Sequence, residues 1–268
     1  MSEDERSSGS GALEWLRLRP AFAHHRALDE WFLARHRPAP TDVVVDLGCG
    51  SGEFSARLAA LIPDGRVIGI DSDASMLAAA SRHQAANLTF LQAAAERVDE
   101  VVAHSSVDLV VSRAMLHWLP ISRYLRCFQA VFRILRPGGW FHSESGGAGN
   151  VTALVELLDE VAAANGLPAT PPFPDAGTVF DLVDAAGFEI PQDGVRTVAQ
   201  RRPFTREGLI GLLRTQAGLS ITRYAPDDAA EGLLDAATAK VDQLRRSDGS
   251  YDQTFVRLEI LIRRPAGT

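Results

Sequence analysis

Val43-Val44-Val45-Asp46-Leu47-Gly48-Cys49-Gly50-Ser51-Gly52-Glu53-Phe54 decides how the rest of the chain is read. The unbroken valine run suits a strand buried on both faces, as parallel strands usually are. An acid ends the run and glycines follow at alternate positions. That pattern predicts a tight strand-to-helix turn, in which bare backbone amides and the positive end of the next helix face a ligand. Asp46 has two readings here, a cap for that helix or a contact with the ligand. Cys49 is read as a small residue that fits the turn.

Outward from this stretch, apolar runs alternate with helical periodicity. A second strand is expected over 66–70, ending at Asp71, followed by a helix carrying Met76, Leu77 and Ala80. A third strand is expected over 88–92 with a short helix near 96–103, and a fourth strand over 107–111. The clearest helix carries Ile121, Tyr124, Leu125, Phe128, Val131, Phe132 and Leu135 at spacings of three and four. Pro137-Gly138-Gly139 is expected to stop it, with a fifth strand over 140–143 ending at Glu144. This alternation predicts an α/β fold with a doubly wound, mostly parallel sheet. Right-handed crossovers put the loops after the strands on one rim. Asp46, Asp71, residues 92–96, residues 112–118 and Glu144 therefore converge.

The remainder is less regular. Helices are expected over 150–165 and 176–186, a sixth strand within 188–199, and a helix capped by Thr205 and running through 214. A further helix is expected over 226–246 and a seventh strand over 254–262. The layout is a disordered tail at 1–11 and one domain over 12–268. Within it, 12–39 form an N-terminal helical lid, 40–147 the ligand-binding core, and 148–268 a substrate-side half with helices inserted between strands 6 and 7.

With 268 residues, of which 46% are apolar, the chain can bury a full core. A formal charge of −7 argues against a nucleic-acid surface. No apolar run is long enough to cross a bilayer. Cys49 and Cys127 make no disulfide framework, and a cytoplasmic setting is expected. The expected partner is a small molecule, and the expected state a monomer or homodimer.

Two cofactor classes suit a glycine turn after strand 1 and an acid at the end of strand 2, where a carboxylate can accept ribose hydroxyls. The nicotinamide fingerprint needs its third glycine where Glu53 stands, and an acid there opposes a pyrophosphate. A cofactor without phosphate, its amino-acid end over the turn, fits better.

Val44-Val45-Asp46-Leu47-Gly48-Cys49-Gly50-Ser51-Gly52, Val67-Ile68-Gly69-Ile70-Asp71-Ser72-Asp73, Val107-Asp108-Leu109-Val110-Val111-Ser112 and Leu135-Arg136-Pro137-Gly138-Gly139 occur in that order. Together they resemble the motifs of the class I, seven-stranded S-adenosylmethionine-dependent methyltransferases. Gly146-Gly147-Ala148-Gly149-Asn150, Leu182-Val183-Asp184-Ala185-Ala186-Gly187-Phe188 and the arginine-rich closing strand are similar to the trans-aconitate methyltransferase-like group. The resemblance implies a Rossmann-like sheet of order 3-2-1-4-5-7-6 with strand 7 antiparallel. It implies the methionine end of S-adenosyl-L-methionine over Gly48, Cys49 and Gly50 near Asp46, the ribose on Asp71, and Ser72 and Met76 flanking the adenine. The family's usual acid after strand 3 falls at Ala94, so the backbone of Ala94 and Ala95, or the side chain of Glu96, takes that contact. Ser112 is implied to touch the methionine moiety.

His117 is the catalytic candidate as a general base, since a neutral imidazole on this rim can take a proton from a hydroxyl. Its other reading is a loop histidine bonded to backbone, with Trp118 as the anchor. Glu144 either orients or deprotonates substrate, or satisfies loop amides around Gly146 and Gly147. No metal is expected, because Ser112-Arg113-Ala114-Met115 lacks an acid cluster. The implied activity is methyl transfer to an oxygen, nitrogen or carbon of a small molecule, a carboxylate or hydroxyl being candidates. The other readings are an S-adenosylmethionine-binding cyclase or scaffold that transfers no methyl, and a nicotinamide-dependent reductase.

Overall fold

A computed structural model describes residues 23–222, 224–226 and 228–267. The expected tail over 1–11 and the first part of the expected lid, 12–22, lie outside the described residues. Seven strands form one sheet: β1 (Val43–Leu47), β2 (Arg66–Asp71), β3 (Leu88–Gln92), β4 (Val107–Arg113), β5 (Leu135–Gly146), β6 (Val195–Arg202) and β7 (Gln253–Arg263). Their order is β3-β2-β1-β4-β5-β7-β6. β1 to β5 pair in parallel, whereas β7 runs antiparallel to both β5 and β6. This is the sheet the resemblance implied.

The helices are α1 (Ala23–Arg35), α2 (Glu53–Leu61), α3 (Ala74–Ala80), α4 (Tyr124–Ile134), α5 (Thr152–Ala164), α6 (Ala176–Ala185), α7 (Arg206–Leu212), α8 (Leu219–Thr222) and α9 (Ala230–Lys240). The apolar stripe of α4 buries Cys127, Phe128, Val131 and Ile134 against Val45, Val110 and Phe141 of the sheet. Phe32 and Leu33 of α1 pack with Leu58 and Ile62 on the other face, against Val44, Leu109 and Val111. A separate cluster joins Leu154, Leu158 and Val161 of α5 to Leu209, Leu233 and Leu234, with Tyr251 and Phe255 at the start of the closing strand. Among the described residues, no helix is long and apolar enough to cross a membrane.

Three elements depart from the sequence reading. α4 ends at Ile134, and Leu135 to Gly139 belong to β5, with a register shift between Val107 and Leu109. The stop comes early because Arg264 reaches back from beyond β7 and donates to the carbonyls of Phe132 and Leu135 at 3.1 and 2.6 Å. A distant guanidinium thus satisfies carbonyls that another helical turn would have used. Thr205 caps α7 by accepting the Gly208 amide, but the helix runs on only as a π turn at Leu213–Ala217. The long helix expected after Pro226 is α9 alone, tightening into a 3₁₀ turn at Val241–Leu244.

The described part of the expected lid, α1, is fixed to the sheet by charge and by stacking. The buried Asp29 carboxylate is ion-paired with Arg57 of α2 and with Arg113 at the end of β4. Arg113 lies over the rings of Phe32 and Phe54, at 5.4 and 5.0 Å. The buried His142 ring of β5 stacks flat on Phe32, 3.7 Å between centroids.

Candidate active site

The turn after β1 is shaped by its own amides. Gly48 and Cys49 donate to the carbonyl of Ile70 at 2.7 and 2.9 Å. The Gly50 amide donates to Asp71 Oδ2 at 2.9 Å, while Asp71 Oδ1 accepts the Asp73 amide at 3.0 Å. Asp73, not Asp71, caps α3 by accepting the Ser75 amide. Gly48 has φ +76°, and a Cβ there would fall 2.2 Å from Met115 Cγ, so the loop after β4 closes directly over the turn.

Below the turn, Asp46 is 2% exposed and accepts the Ser55 hydroxyl at 2.6 Å. Burial pushes its carboxyl up to about 7, the Ser55 bond opposes the rise, and the Asp71 charge adds to it. Burial likewise raises Asp71, against the pull of its backbone amides. Burial pushes the Cys49 thiol far above its ordinary range, which fits a packing role. Ser112 is buried and donates to the Leu47 carbonyl at 2.9 Å, tying the end of β4 to the turn.

On the β2 and β3 side, Ser72 is exposed and Met76 half-buried in α3, and Ala94 and Ala95 after β3 are half-buried. Glu96 Oε1 accepts Arg123 at 2.9 Å, whereas its buried Oε2 has no hydrogen-bond partner among the described residues.

At the other end of the rim, His117 Nδ1 accepts the Gly146 amide at 3.3 Å. Burial and the nearby Arg257 charge push the imidazole down to about 3. The ring is thus neutral, with its proton on Nε2. Phe173 and Trp118 lie 5.8 and 5.0 Å from it. Glu144 is 1% exposed and does not serve the loop amides around Gly146 and Gly147: Oε1 accepts Nε of Arg257, and Oε2 has no partner among the described residues.

The predicted residues thus form two connected groups. Asp46, Gly48, Cys49, Gly50, Asp71 and Ser112 are tied together around the turn; His117 and Glu144 meet the neighbouring pair Gly146 and Arg257. Sequence reasoning passed over Arg257 and Phe173. The strict alternation Arg257, Glu259, Leu261 in a strand was a usable signal, because period two puts these side chains on one face. Arg263 and Arg264 stay outside the site: Arg263 pairs with Glu189, and Arg264 holds the end of α4.

Residues 44–139, from β1 into β5, match the family described as a methyltransferase domain. A trans-aconitate 2-methyltransferase of Methylobacterium radiotolerans is 28% identical over 236 residues, covering 83% of this chain and 86% of that one. The trans-aconitate 2-methyltransferase of Deinococcus radiodurans is 44% identical over 100 residues, covering 37% of this chain and 36% of that one. Phosphoethanolamine N-methyltransferase 2 of Haemonchus contortus, solved with phosphomonomethylethanolamine and S-adenosylhomocysteine, shares the fold at a TM-score of 0.56. That match has 19% identity and covers 89% of this chain and 52% of that one. Residues 44–139 are thus a methyltransferase domain, set in the seven-stranded sheet of the class I methyltransferases. The chain is similar in sequence to the trans-aconitate 2-methyltransferases, and the cofactor of such a domain is S-adenosylmethionine.

The residues present suit that cofactor. The turn is open above Gly50, where a Cβ would meet nothing within 4 Å, the Asp71 oxygens retain lone pairs for ribose hydroxyls, and Glu96 Oε2 is a buried acceptor without a donor among the described residues.

Proposed function

We propose that the protein methylates an oxygen of a small-molecule acceptor held between the glycine turn and the rim of β5 and β7. Bound S-adenosylmethionine supplies an electrophilic methyl group on a positively charged sulfur. The supporting observation is the neutral His117 ring, whose Nδ1 is taken by the Gly146 amide. Its Nε2–H donates a hydrogen bond and does not take a proton, so His117 orients an acceptor oxygen. An ionised carboxylate is already nucleophilic and needs no base, which suits this site better than an unactivated hydroxyl. The names of the trans-aconitate relatives agree with this choice.

Around the cofactor, the turn from Gly48 to Gly50 gives a side-chain-poor floor whose amides are held by Ile70 and Asp71, Asp71 and Glu96 accept hydroxyl and amino protons, and Ser112 and Met115 brace the turn from β4. Ser72 and Met76 flank the adenine, and Ala94 and Ala95 line its edge. Asp46 lies beneath the turn as the buried charge that the cationic sulfur favours. Residues 12–39 serve as the lid and the helices between β6 and β7 as the acceptor's cover, in a cytoplasmic monomer or homodimer without metal or nucleic acid.

The test is a labelled-methyl assay on metabolite extracts. The expected result is a labelled small acid ester formed in step with S-adenosylhomocysteine. A protein that binds S-adenosylhomocysteine yet turns over no cofactor on any extract is instead the non-methylating cyclase or scaffold.

A further inference from the structure

In the antiparallel pair of β5 and β7, Glu144 stands opposite Glu259 and Gly146 opposite Arg257. Opposed residues of such a pair point to the same face, and so do residues two apart in one strand. Glu144, Glu259 and Arg257 therefore share a face, and the Gly146 amide brings His117 to its upper end. Arg196 of β6 pairs with Glu259, and Arg202 lies further along the same face of β6.

The charges on this face do not balance. Glu259 takes two guanidiniums, Arg35 at 2.5 Å and Arg196 at 2.8 Å. Glu144 takes Arg257 through Nε. Arg202 has no carboxylate partner among the described residues; its Nε donates to the Gln200 side chain at 3.2 Å and its guanidinium lies 4.4 Å from the Phe255 ring centre. Burial and the Arg257 charge both weaken the Arg202 guanidinium's hold on its proton, as expected of like charges kept partly from water. Arg257 is 17% exposed, and its two Nη groups have no hydrogen-bond partner among the described residues. Glu144 thus occupies the Nε edge of the fork and leaves the Nη end for a planar oxyanion. Phe173 walls the space: a Cβ on Gly146 would come within 2.5 Å of its ring.

Resting on the methyl-transfer reading above, we propose that Arg257, aimed by Glu144 and backed by the charge of Arg202, grips a carboxylate of the acceptor and so selects anionic acceptors. Arg257 is the specificity-determining group and Glu144 a positioning residue. A carboxylate seated on the Nη end lies beside His117, which Gly146 connects to the same strand pair.

The probes are trans-aconitate, citrate and succinate, titrated by calorimetry into protein loaded with S-adenosylhomocysteine. At least one is expected to bind the wild type. R257Q is expected to weaken that binding about thirtyfold or more, the effect of losing a charge-assisted hydrogen-bonded pair. R257K keeps the charge beside Glu144 and hence the fold; it is expected to recover part of the affinity but not its preference for planar carboxylates. E144Q frees the fork without removing it: carboxylate binding is expected to weaken several-fold, and the acceptor KM is expected to rise by more than kcat falls. S-adenosylhomocysteine affinity is expected to stay within about twofold in all three variants, because none touches the glycine turn. The proposal is overturned if no carboxylate binds the loaded wild type, or if R257Q binds them as the wild type does. Failure of S-adenosylhomocysteine to bind the wild type counts separately, against the methyl-transfer reading.

Discussion

The Asp71 carboxylate at the end of β2 holds the Gly50 amide in the turn after β1, at 2.9 Å. That carboxylate shapes the turn, and in the cofactor placement proposed above it also faces the ribose. Asp71→Ala is expected to weaken S-adenosylhomocysteine binding about a hundredfold, the scale of losing hydrogen bonds to a charged group. Asp71→Asn keeps one acceptor oxygen and is expected to lose less. Calorimetry with the two variants gives the ratio.

Asp46 gives the protein a pH response near neutrality. Its carboxyl is raised to about 7 by burial, from about 3.9 in an unfolded chain. The folded state therefore holds a proton that the unfolded state has released. The resulting stability is fully present below the unfolded value and is lost as pH rises through about 7. Measured against Asp46→Asn, which removes this titration and keeps the opposite acid trend of His117, the ligand-free protein is expected to lose melting temperature between about pH 5.5 and about pH 8. The cationic cofactor favours the ionised form, so S-adenosylmethionine is expected to bind more tightly as pH rises through that range, and neutral-sulfur S-adenosylhomocysteine less so. Asp46→Asn should flatten both trends; a variant that keeps them assigns the titration elsewhere.

Two glycines of one turn are expected to respond differently to alanine. Gly48 has φ +76° with Met115 in the way, whereas Gly50 has φ +54° with nothing within 4 Å of a Cβ. Gly50→Ala carries only the left-handed backbone cost, about 1 kcal/mol. Gly48→Ala adds the clash and is expected to cost about 3 kcal/mol and to abolish cofactor binding. Denaturant melts and cofactor titration of the pair separate backbone strain from collision.

Asp29→Ala leaves Arg57 and Arg113 facing each other without their shared carboxylate. Arg57 is 33% exposed and Arg113 only 13%, so water relieves one charge more than the other. The cost is expected near the low end of buried-pair breakage, about 3 kcal/mol. Proteolysis is expected to begin within α1, since Asp29 is what ties that helix to α2 and β4.

His117 is held near 3, against about 6.5 in an unfolded chain. A histidine buried neutral makes the fold less stable as pH falls below the unfolded value, so acid unfolding is expected to begin near pH 6, about where free histidines gain protons. Between about pH 5 and 8 the imidazole does not change charge, and turnover is expected to show no histidine limb there. His117→Gln keeps a side-chain N–H and is expected to retain most activity; His117→Ala is expected to lose about a hundredfold. A pH–rate limb near 6.5 that vanishes in His117→Gln would restore the general-base role.

The cofactor half was legible because its signals are local. Valines in β1, glycines that must take positive φ, and an acid two strands' worth of chain away are each readable within a few residues. The acceptor half depends on register. Glu144 meets Arg257 only because β7 enters antiparallel, 113 positions along the chain from its partner, and no periodicity carries that offset. The same distance hid Arg264, which ends α4 from the far side of the sheet, and Asp29, whose partners lie on two other elements. Asp46 and Asp71 lay the other way: both were visible, but the bonds that Asp46 makes to Ser55 and Asp71 to Gly50 emerge only in three dimensions.

The helices inserted before β7 share an apolar cluster with α5, distinct from the two clusters that flank the parallel strands, and it reaches the sheet through Phe255. The glycine turn and the proposed acceptor cover therefore rest on different apolar clusters. Mutations can accumulate in Leu209, Leu233 and their neighbours, reshaping the cover, without disturbing the valines beneath the glycine turn. If that cover selects the acceptor, a lineage can change its acceptor while inheriting its methyl donor intact, and a graft of residues 204–251 from a relative must bring α5 with it, because the two share one apolar cluster.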